Sequence, residues 1–365
     1  MAAQQIANMD KLQHKSIITT PNNLTYSYYL SPNFNSKLDK NVPTLMFLHG
    51  YPDDAYMWAG AIPTFLSLPY PFIVLDLLGF GGSSKPSDAQ YYNYRAQANS
   101  ITQILDHEKV PNNVIPIGHD WGSATSQRFY LYHKDRCVGL SLLSLAYQIP
   151  SSEKFDLKTA NVETEKRFGY PQWEYWNFFT RADAANLMRD NVERFWDVNN
   201  GLYISDKLGE EGRDIWMREM FCVPHAMDDY VDGKGKWAGG KRVELKPYAK
   251  DPVLFQRFKE RLCRDGFEGP VQYYHSLKNN TMIEDERELV EKKDGTKIEV
   301  PLLYIGQTGD WVCRVDLMGD AKEKGLVGDL EEKVVDAGHW VLYEKPEEIA
   351  EIIKEWLGKK FPVKA

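Results

Sequence analysis

The sequence predicts an α/β fold: a mostly parallel central sheet flanked by helices, split by an inserted, mostly helical unit. Three observations predict it. Apolar, β-rich runs recur and end in glycine or a carboxylate, as strands buried on both faces do. Helical patterns lie between several of them, the alternation expected of a helix-flanked parallel sheet. A long middle stretch, from Gln148 to Glu284, breaks that alternation with helical segments dense in aromatics.

Taken in order, the strand-like runs are Thr44–Leu48 ending in His49-Gly50, Phe72–Leu75 ending in Asp76, Val114–Ile117 ending in Gly118, and Leu302–Ile305 ending in Gly306. Cys137–Tyr147 reads as a further buried strand, too short for a membrane span. Tyr94–Glu108 carries Ala98, Ile101 and Leu105 at helical spacing, and Trp121–Asp135 reads as the helix after the third strand. Pro346 opens a final helix whose apolar face is Ile349, Ile352, Ile353 and Leu357. Within the insertion, Tyr170–Phe179 is aromatic and Gly233–Lys241 reads as a flexible connection. Strand–helix alternation resumes near Leu289, with a small hairpin expected to turn at Asp294-Gly295. The expected organisation is thus residues 1–147 and 285–365 as one core, with residues 148–284 as a cap inserted into it.

Length and composition exclude several classes. A chain of 365 residues is ample for one large core plus an insertion. The net charge of −8, with both signs dispersed, argues against nucleic acid and anionic membrane as partners. The first twenty residues hold no apolar stretch of signal-peptide length, and Cys137, Cys222, Cys263 and Cys313 form no CxxC pair, so free thiols and a cytoplasmic location are expected. The zinc-helix pattern HExxH and the phosphate loop GxxxxGK[ST] are absent, and no metal or cofactor is expected. The chain holds 21 tyrosines, more than a core needs, since each buried hydroxyl wants a partner.

The most informative segment is Val114-Ile-Pro-Ile-Gly-His-Asp-Trp-Gly-Ser123. Small residues two before and two after a central residue permit a sharp strand-to-helix turn that exposes the central side chain. In such elbows the central residue is usually Ser; here it is Asp120. The alternative is a chance turn with Asp120 as a helix N-cap. The substitution restricts the chemistry. A serine attacking a saturated carbon would give an ether, which a histidine and a water do not hydrolyse; a carboxylate gives an ester, which they do. Asp120 therefore argues against esterase, lipase and peptidase, and for displacement at an sp³ carbon.

Other segments fit around it. In this architecture the loop after the first strong strand supplies one oxyanion donor and the residue after the nucleophile the other, here the backbone N–H groups of Tyr51 and Trp121. The glycine-rich segment Asp76–Pro86 reads as a structural turn. Asp310 follows one late strand and His339 another, in the chain order nucleophile, acid, histidine. His339 would activate water and Asp310 would orient its ring. Asp336 competes as the acid but lies within the strand leading to His339, and the segment Ser144–Gln148, another possible acid position, has no carboxylate.

The set HGYP (49–52), DxxGFGxSxKP (76–86), GHDWG (118–122), GD (309–310) and GHW (338–340) closely resembles the soluble epoxide hydrolases of the α/β-hydrolase superfamily, from about Asn41 to Leu357. Haloalkane and haloacid dehalogenases share several of these motifs. The resemblance implies two cap tyrosines whose hydroxyls hold the epoxide oxygen. Tyr175-Trp-Asn-Phe-Phe179 fits the first pattern, with Tyr170 as competitor; Gln272-Tyr273-Tyr274-His275 fits the second, giving Tyr274 with Tyr273 as fallback and His275 in place of the usual arginine. Two phenols of ordinary pKa about 10 stay protonated at neutral pH and can stabilise or protonate the alkoxide that ring opening creates. A halide leaving group needs no proton. Fluoroacetate dehalogenases carry a His-Trp pair where this chain has Tyr175-Trp176, and haloalkane dehalogenases carry Asn at the position of Tyr51. The resemblance also places His49, Asp53 and His119 near the hydrolytic water, Asp53 alternatively as a helix cap. The expected ligands are a small apolar epoxide and water, and the expected state is monomer or homodimer. A non-catalytic relative that binds a small ligand under the cap is the reading from a different class.

Overall fold

The computed structural model describes residues 2–207 and 210–363. Its organising element is an eight-stranded sheet. The strands in chain order are β1 (Gln13–Thr19), β2 (Leu24–Leu30), β3 (Thr44–Leu48), β4 (Phe72–Leu75), β5 (Val114–His119), β6 (Leu140–Leu143), β7 (Gly201–Leu202), β8 (Glu244–Leu245), β9 (Leu302–Gln307) and β10 (Leu330–Val335). The large sheet runs β1-β2-β4-β3-β5-β6-β9-β10, and β7 and β8 form a separate antiparallel ribbon. From β4 to β10 every pairing is parallel; β1 and β2 are antiparallel.

Burial explains the order. Every residue of β3, β4, β5, β6 and β9 is buried, so these strands need apolar side chains on both faces and occupy the centre. The edge strand β10 buries only Val335 and carries Glu331, Glu332 and Lys333, charges that discourage pairing with a further chain. At the other edge, β1 exposes most of its residues. The helices Tyr94–His107, Trp121–Tyr132 and Pro346–Lys360 flank the sheet and bury Ile101, Leu105, Phe129, Ile349, Ile353 and Leu357.

Between β6 and β9 the chain is helical from Leu157–Phe168 to Ile283–Glu291, apart from the β7–β8 ribbon. The expected boundary at residue 284 falls inside the last of these helices. The hairpin expected at Asp294-Gly295 is not formed. Leu289 is buried on the helix Ile283–Glu291, Asp294 sits at a left-handed φ of 55°, and Ile298 bridges Val327 in parallel, so the segment turns directly into the sheet. All four cysteines are free thiols, and Cys263 is exposed. Among the described residues no helix is long and apolar enough to cross a membrane.

Candidate active site

Asp120 follows β5 and precedes the helix Trp121–Tyr132, with φ 54° and ψ −121°. A side chain rarely adopts this backbone, and its neighbours explain why the chain holds it. A Cβ on Gly118 would lie 2.2 Å from the Gly122 carbonyl oxygen, and one on Gly122 would lie 2.3 Å from that of Leu48. Only glycine at both places lets the turn close. The Ser123 hydroxyl locks it, its one proton shared between the Gly118 and Leu143 carbonyls at 2.6 and 2.9 Å while its oxygen accepts the Leu143 N–H at 3.1 Å. Asp120 makes no side-chain capping hydrogen bond to its helix. Its Oδ1 accepts instead from the backbone N–H of Tyr51 at 2.9 Å, and its carboxyl also feels the N–H of Trp121.

Around it, His339 Nε2 lies 3.6 Å from Asp120 Oδ2, and His339 Nδ1 lies 2.6 Å from Asp310 Oδ2. Asp310 Oδ1 accepts the backbone N–H groups of Val312 and Cys313 at 3.0 and 2.7 Å. The side chain of Asp120 keeps 16% exposure, against 5% for His339 and none for Asp310, so only the first carboxylate can meet a ligand. Burial raises the pKa of Asp120 above the ordinary value. Burial works against ionised Asp310 as well, but the His339 imidazole and the two N–H donors hold its pKa below the usual range. Burial disfavours protonated His339, yet Asp310 and then Asp120 outweigh it and the pKa rises.

Tyr175 and Tyr274 are both buried over this group, their rings 5.8 Å apart and edge-on. Tyr274 also meets Tyr51 at 5.2 Å and Trp121 at 5.1 Å. Burial pushes both phenols well above 10, and the Asp120 carboxylate adds to each shift. Their sequence competitors are engaged elsewhere. The Tyr170 hydroxyl donates to the Trp311 carbonyl at 2.8 Å and accepts from Arg314, and Tyr273 donates to Gln97 Oε1 at 2.9 Å. The Tyr51 hydroxyl faces Met188 Sδ at 3.3 Å, so this residue meets the carboxylate through its backbone alone.

The remaining expected residues fall into place differently. His49 is neutral, its pKa lowered to about 4 by burial; its Nδ1–H donates to the Gly50 carbonyl and its Nε2 accepts from the Leu77 N–H at 3.0 Å. It therefore ties the Tyr51 loop to the loop after β4. His119 Nε2 donates to the His339 carbonyl at 2.8 Å; burial and then His339 lower its pKa to about 3. Asp53 accepts the Tyr343 hydroxyl at 2.6 Å, and burial raises its pKa to about 6. The capping role belongs to Asp54, which accepts from the Tyr56 N–H. Asp76 is a turn anchor, accepting from Ala55 N–H, Gly82 N–H and the Ser27 hydroxyl, each at 2.9 Å. Asp336 is exposed and accepts from Thr308, away from His339.

Two residues escaped the sequence reading. Arg261 Nη2 donates to the Pro52 carbonyl at 2.6 Å, and Tyr343 holds Asp53. Each reaches a loop more than 200 positions away in sequence, which no local pattern signals. Asp310, Cys313 and His339 offer ligand atoms within 4.8 Å of one another. This donor set does not fit a metal, because both Asp310 oxygens accept N–H groups and the Nδ1 of His339 faces Asp310.

The chain belongs to the α/β-hydrolase fold family, whose model matches residues 43–346. It is 26% identical over 353 residues to the epoxide hydrolase srdG of Neurospora crassa, covering 95% of this chain and 96% of that protein. It is 24% identical over 349 residues to epoxide hydrolase B of Mycobacterium tuberculosis, covering 89% and 94%. The crystal structure of epoxide hydrolase A from Mycobacterium thermoresistibile superposes with a TM-score of 0.70 at 21% identity, covering 95% and 98%. Epoxide hydrolase VrEH1 from Vigna radiata does so at 0.70 and 19%, covering 96% and 99%.

Proposed function

We propose that this chain is an epoxide hydrolase that converts an apolar epoxide and water to a vicinal diol through an ester on Asp120. The observation that carries the reading is an aspartate, not a serine, at the elbow, beneath two buried phenols. Full-length similarity to curated epoxide hydrolases supports it.

Asp120 Oδ1 is held by the Tyr51 N–H, which leaves Oδ2 as the attacking atom. Oδ2 displaces an epoxide carbon from its oxygen, and Tyr175 and Tyr274 stabilise and protonate the departing alkoxide. The product is a hydroxyalkyl ester whose carbonyl oxygen, the former Oδ1, sits between the N–H groups of Tyr51 and Trp121. His339, oriented by Asp310, takes a proton from water; the hydroxide adds to the ester carbonyl. The two N–H groups hold the oxyanion until it collapses and the acyl–oxygen bond to the product breaks; the departing diol oxygen takes the His339 proton, and the acid proton left on Asp120 restores the phenol that protonated the alkoxide. Asp53, His49 and His119 act by positioning the loops and the His339 backbone around the water.

The test is a single turnover in heavy-oxygen water. The expected label is in the Asp120 carboxylate; a diol labelled directly overturns the ester route. Styrene oxide, fluoroacetate and a chloroalkane, assayed in parallel, separate the reading from dehalogenation: halide release without diol overturns it. Tight binding of epoxides without turnover would favour a non-catalytic relative.

A further inference from the structure

The ribbon β7–β8 interrupts the helical insertion and ends at Lys246, whose backbone N–H donates to the Asn200 carbonyl at 3.0 Å. The Lys246 side chain is buried in the wall of a cavity of about 440 Å³, together with Asp214, Gly309, Gly338 and Glu344. Its ammonium lies 2.8 Å from Glu344 Oε1 and 3.3 Å from Asp214 Oδ2. Burial works against the charge, but Glu344 and then Asp214 outweigh it and hold the pKa above the ordinary lysine value. The ammonium reaches both carboxylates because residue 338 is glycine: a Cβ there would lie 2.1 Å from Nζ. The other charged groups of this wall are engaged elsewhere. Arg213 covers the Trp311 ring at 4.4 Å, and Asp336 accepts from the Thr308 hydroxyl at 2.7 Å.

Each carboxylate leads to a different member of the candidate active site. Glu344 Oε1 also accepts the backbone N–H of Gly338 at 3.1 Å, immediately before His339. Asp214 Oδ1 is fixed by the N–H groups of Tyr203 and Trp216, both at 3.1 Å. The Asp214 backbone carbonyl accepts the indole N–H of Trp311 at 2.8 Å, immediately after Asp310. β9 and β10 are neighbours in the sheet, so the loops that follow them lie side by side and meet where the Gly309 N–H donates to the Ala337 carbonyl at 2.9 Å. The bond between the two loops that matters for chemistry is the 2.6 Å contact of Asp310 with His339, and a bond that short has little slack.

On the epoxide reading above, we infer that Lys246 is a positioning residue for ester hydrolysis: its ammonium, shared by Glu344 and Asp214, fixes the loops of His339 and Asp310 relative to each other from the side of the insertion. It acts through those two carboxylates and takes no part in the bond changes.

The experiment reads the two steps separately by rapid quench with styrene oxide, and reads the Asp310–His339 bond directly by proton NMR. A short, buried N–H of this kind gives a low-field resonance, assigned by its absence in Asp310→Asn. Lys246→Met is expected to slow ester hydrolysis roughly ten-fold, less than the about 100-fold that misplacement by about 1 Å costs, and to leave alkylation within about two-fold. The low-field resonance should shift or broaden in the same variant. Lys246→Arg, whose fork can meet both carboxylates, restores most of the rate and the resonance. Lys246→Gln keeps a neutral donor and moves both readouts the same way by a smaller step, which keeps the test decisive if the Met variant does not fold. Hydrolysis at the unaltered rate in the folded variants overturns the inference, and so does equal slowing of both steps with the resonance in place. No ester and no diol from the unaltered protein overturns the epoxide reading instead; the resonance in Lys246→Met then still decides whether Lys246 holds Asp310 against His339.

Discussion

Arg261 Nη2 donates to the carbonyl oxygen of Pro52 at 2.6 Å, joining the helix Pro252–Asp265 of the insertion to the loop that carries the Tyr51 N–H. The same guanidinium lies 3.4 Å from Asp54, which Arg257 holds at 2.7 Å. The insertion thus holds the loop that carries the Tyr51 N–H, the oxyanion donor of the proposed mechanism. On that proposal the donor matters unequally in the two steps. Asp120 loses charge on alkylation, whereas the ester oxygen gains charge on hydrolysis. Arg261→Met is expected to slow ester hydrolysis roughly ten-fold, less than outright loss of an oxyanion donor costs. The alkyl-enzyme should then accumulate in rapid-quench mass spectrometry while alkylation changes little. Arg261→Lys restores part of the rate. Equal slowing of both steps would assign Arg261 a general structural role.

The pH dependence separates the same steps. Although burial opposes it, Asp310 raises His339 above its ordinary pKa, and only the neutral ring accepts a proton from water. Ester hydrolysis should therefore rise with pH through a midpoint above about 6.5. Alkylation needs ionised Asp120, whose pKa burial raises, so that step fails toward acid at a separate midpoint. Tyr175 and Tyr274 stay protonated well above 10, so neither contributes an alkaline loss near neutrality. In Asp310→Asn the counter-charge is gone and burial dominates. The hydrolysis midpoint should then move below about 6.5 even as the rate falls. Single-turnover rates from about pH 5 to about pH 9 read both limbs; an unmoved midpoint in Asp310→Asn contradicts the assignment.

The phenols admit a sharp contrast. If Tyr175 and Tyr274 share the alkoxide, each single Phe variant retains one donor and loses roughly 10- to 100-fold in alkylation rate. The double variant should lose more than either, approaching Asp120→Asn. Tyr273→Phe should behave oppositely. Its hydroxyl donates to buried Gln97, so removal strands that acceptor and costs about 1–3 kcal/mol of stability, with kcat nearly unchanged. Thermal melts alongside rapid-quench rates distinguish the two patterns. A catalytic loss in Tyr273→Phe equal to that of Tyr274→Phe would reverse the choice.

What the sequence made legible follows the physics of burial. β3 and β4 match the apolar runs residue for residue, because strands covered on both faces must be continuously apolar. The edge hairpin of β1 and β2 escaped, since Gln13–Thr19 is largely exposed and has no such run. The elbow was legible because its glycines and Asp120 are contiguous. Choosing between Tyr170 and Tyr175, or Tyr273 and Tyr274, needed partners from elsewhere: Trp311 and Gln97 occupy the competitors. Asp53 and Asp54 are likewise indistinguishable as letters. Extended backbone at Asp54, with φ −142°, makes it the cap, while Tyr343 holds Asp53.

The elbow glycines yield a prediction with its own control. A methyl on Gly122 would meet two backbone carbonyl oxygens, Leu48 at 2.3 Å and His49 at 2.5 Å, and neither can swing away as a side-chain end can. Gly122→Ala must therefore separate the elbow helix from β3, moving Asp120 away from the Tyr51 N–H. Its expected outcome is loss of the folded protein, or a folded protein with alkylation lowered at least about 100-fold, since misplacement by about 1 Å has that cost. Gly358 is the counterpart. It is exposed in the helix Pro346–Lys360, and a methyl there would meet nothing within 4 Å. Gly358→Ala should stabilise by about 0.5–1 kcal/mol, because alanine loses less backbone entropy in a helix. For a chain of this size that raises Tm by roughly 1 °C. Activity per folded molecule should match the unaltered protein. Comparable behaviour of the two variants in melts and single-turnover rates would mean that the close approach of the elbow to β3 does not govern where Asp120 sits.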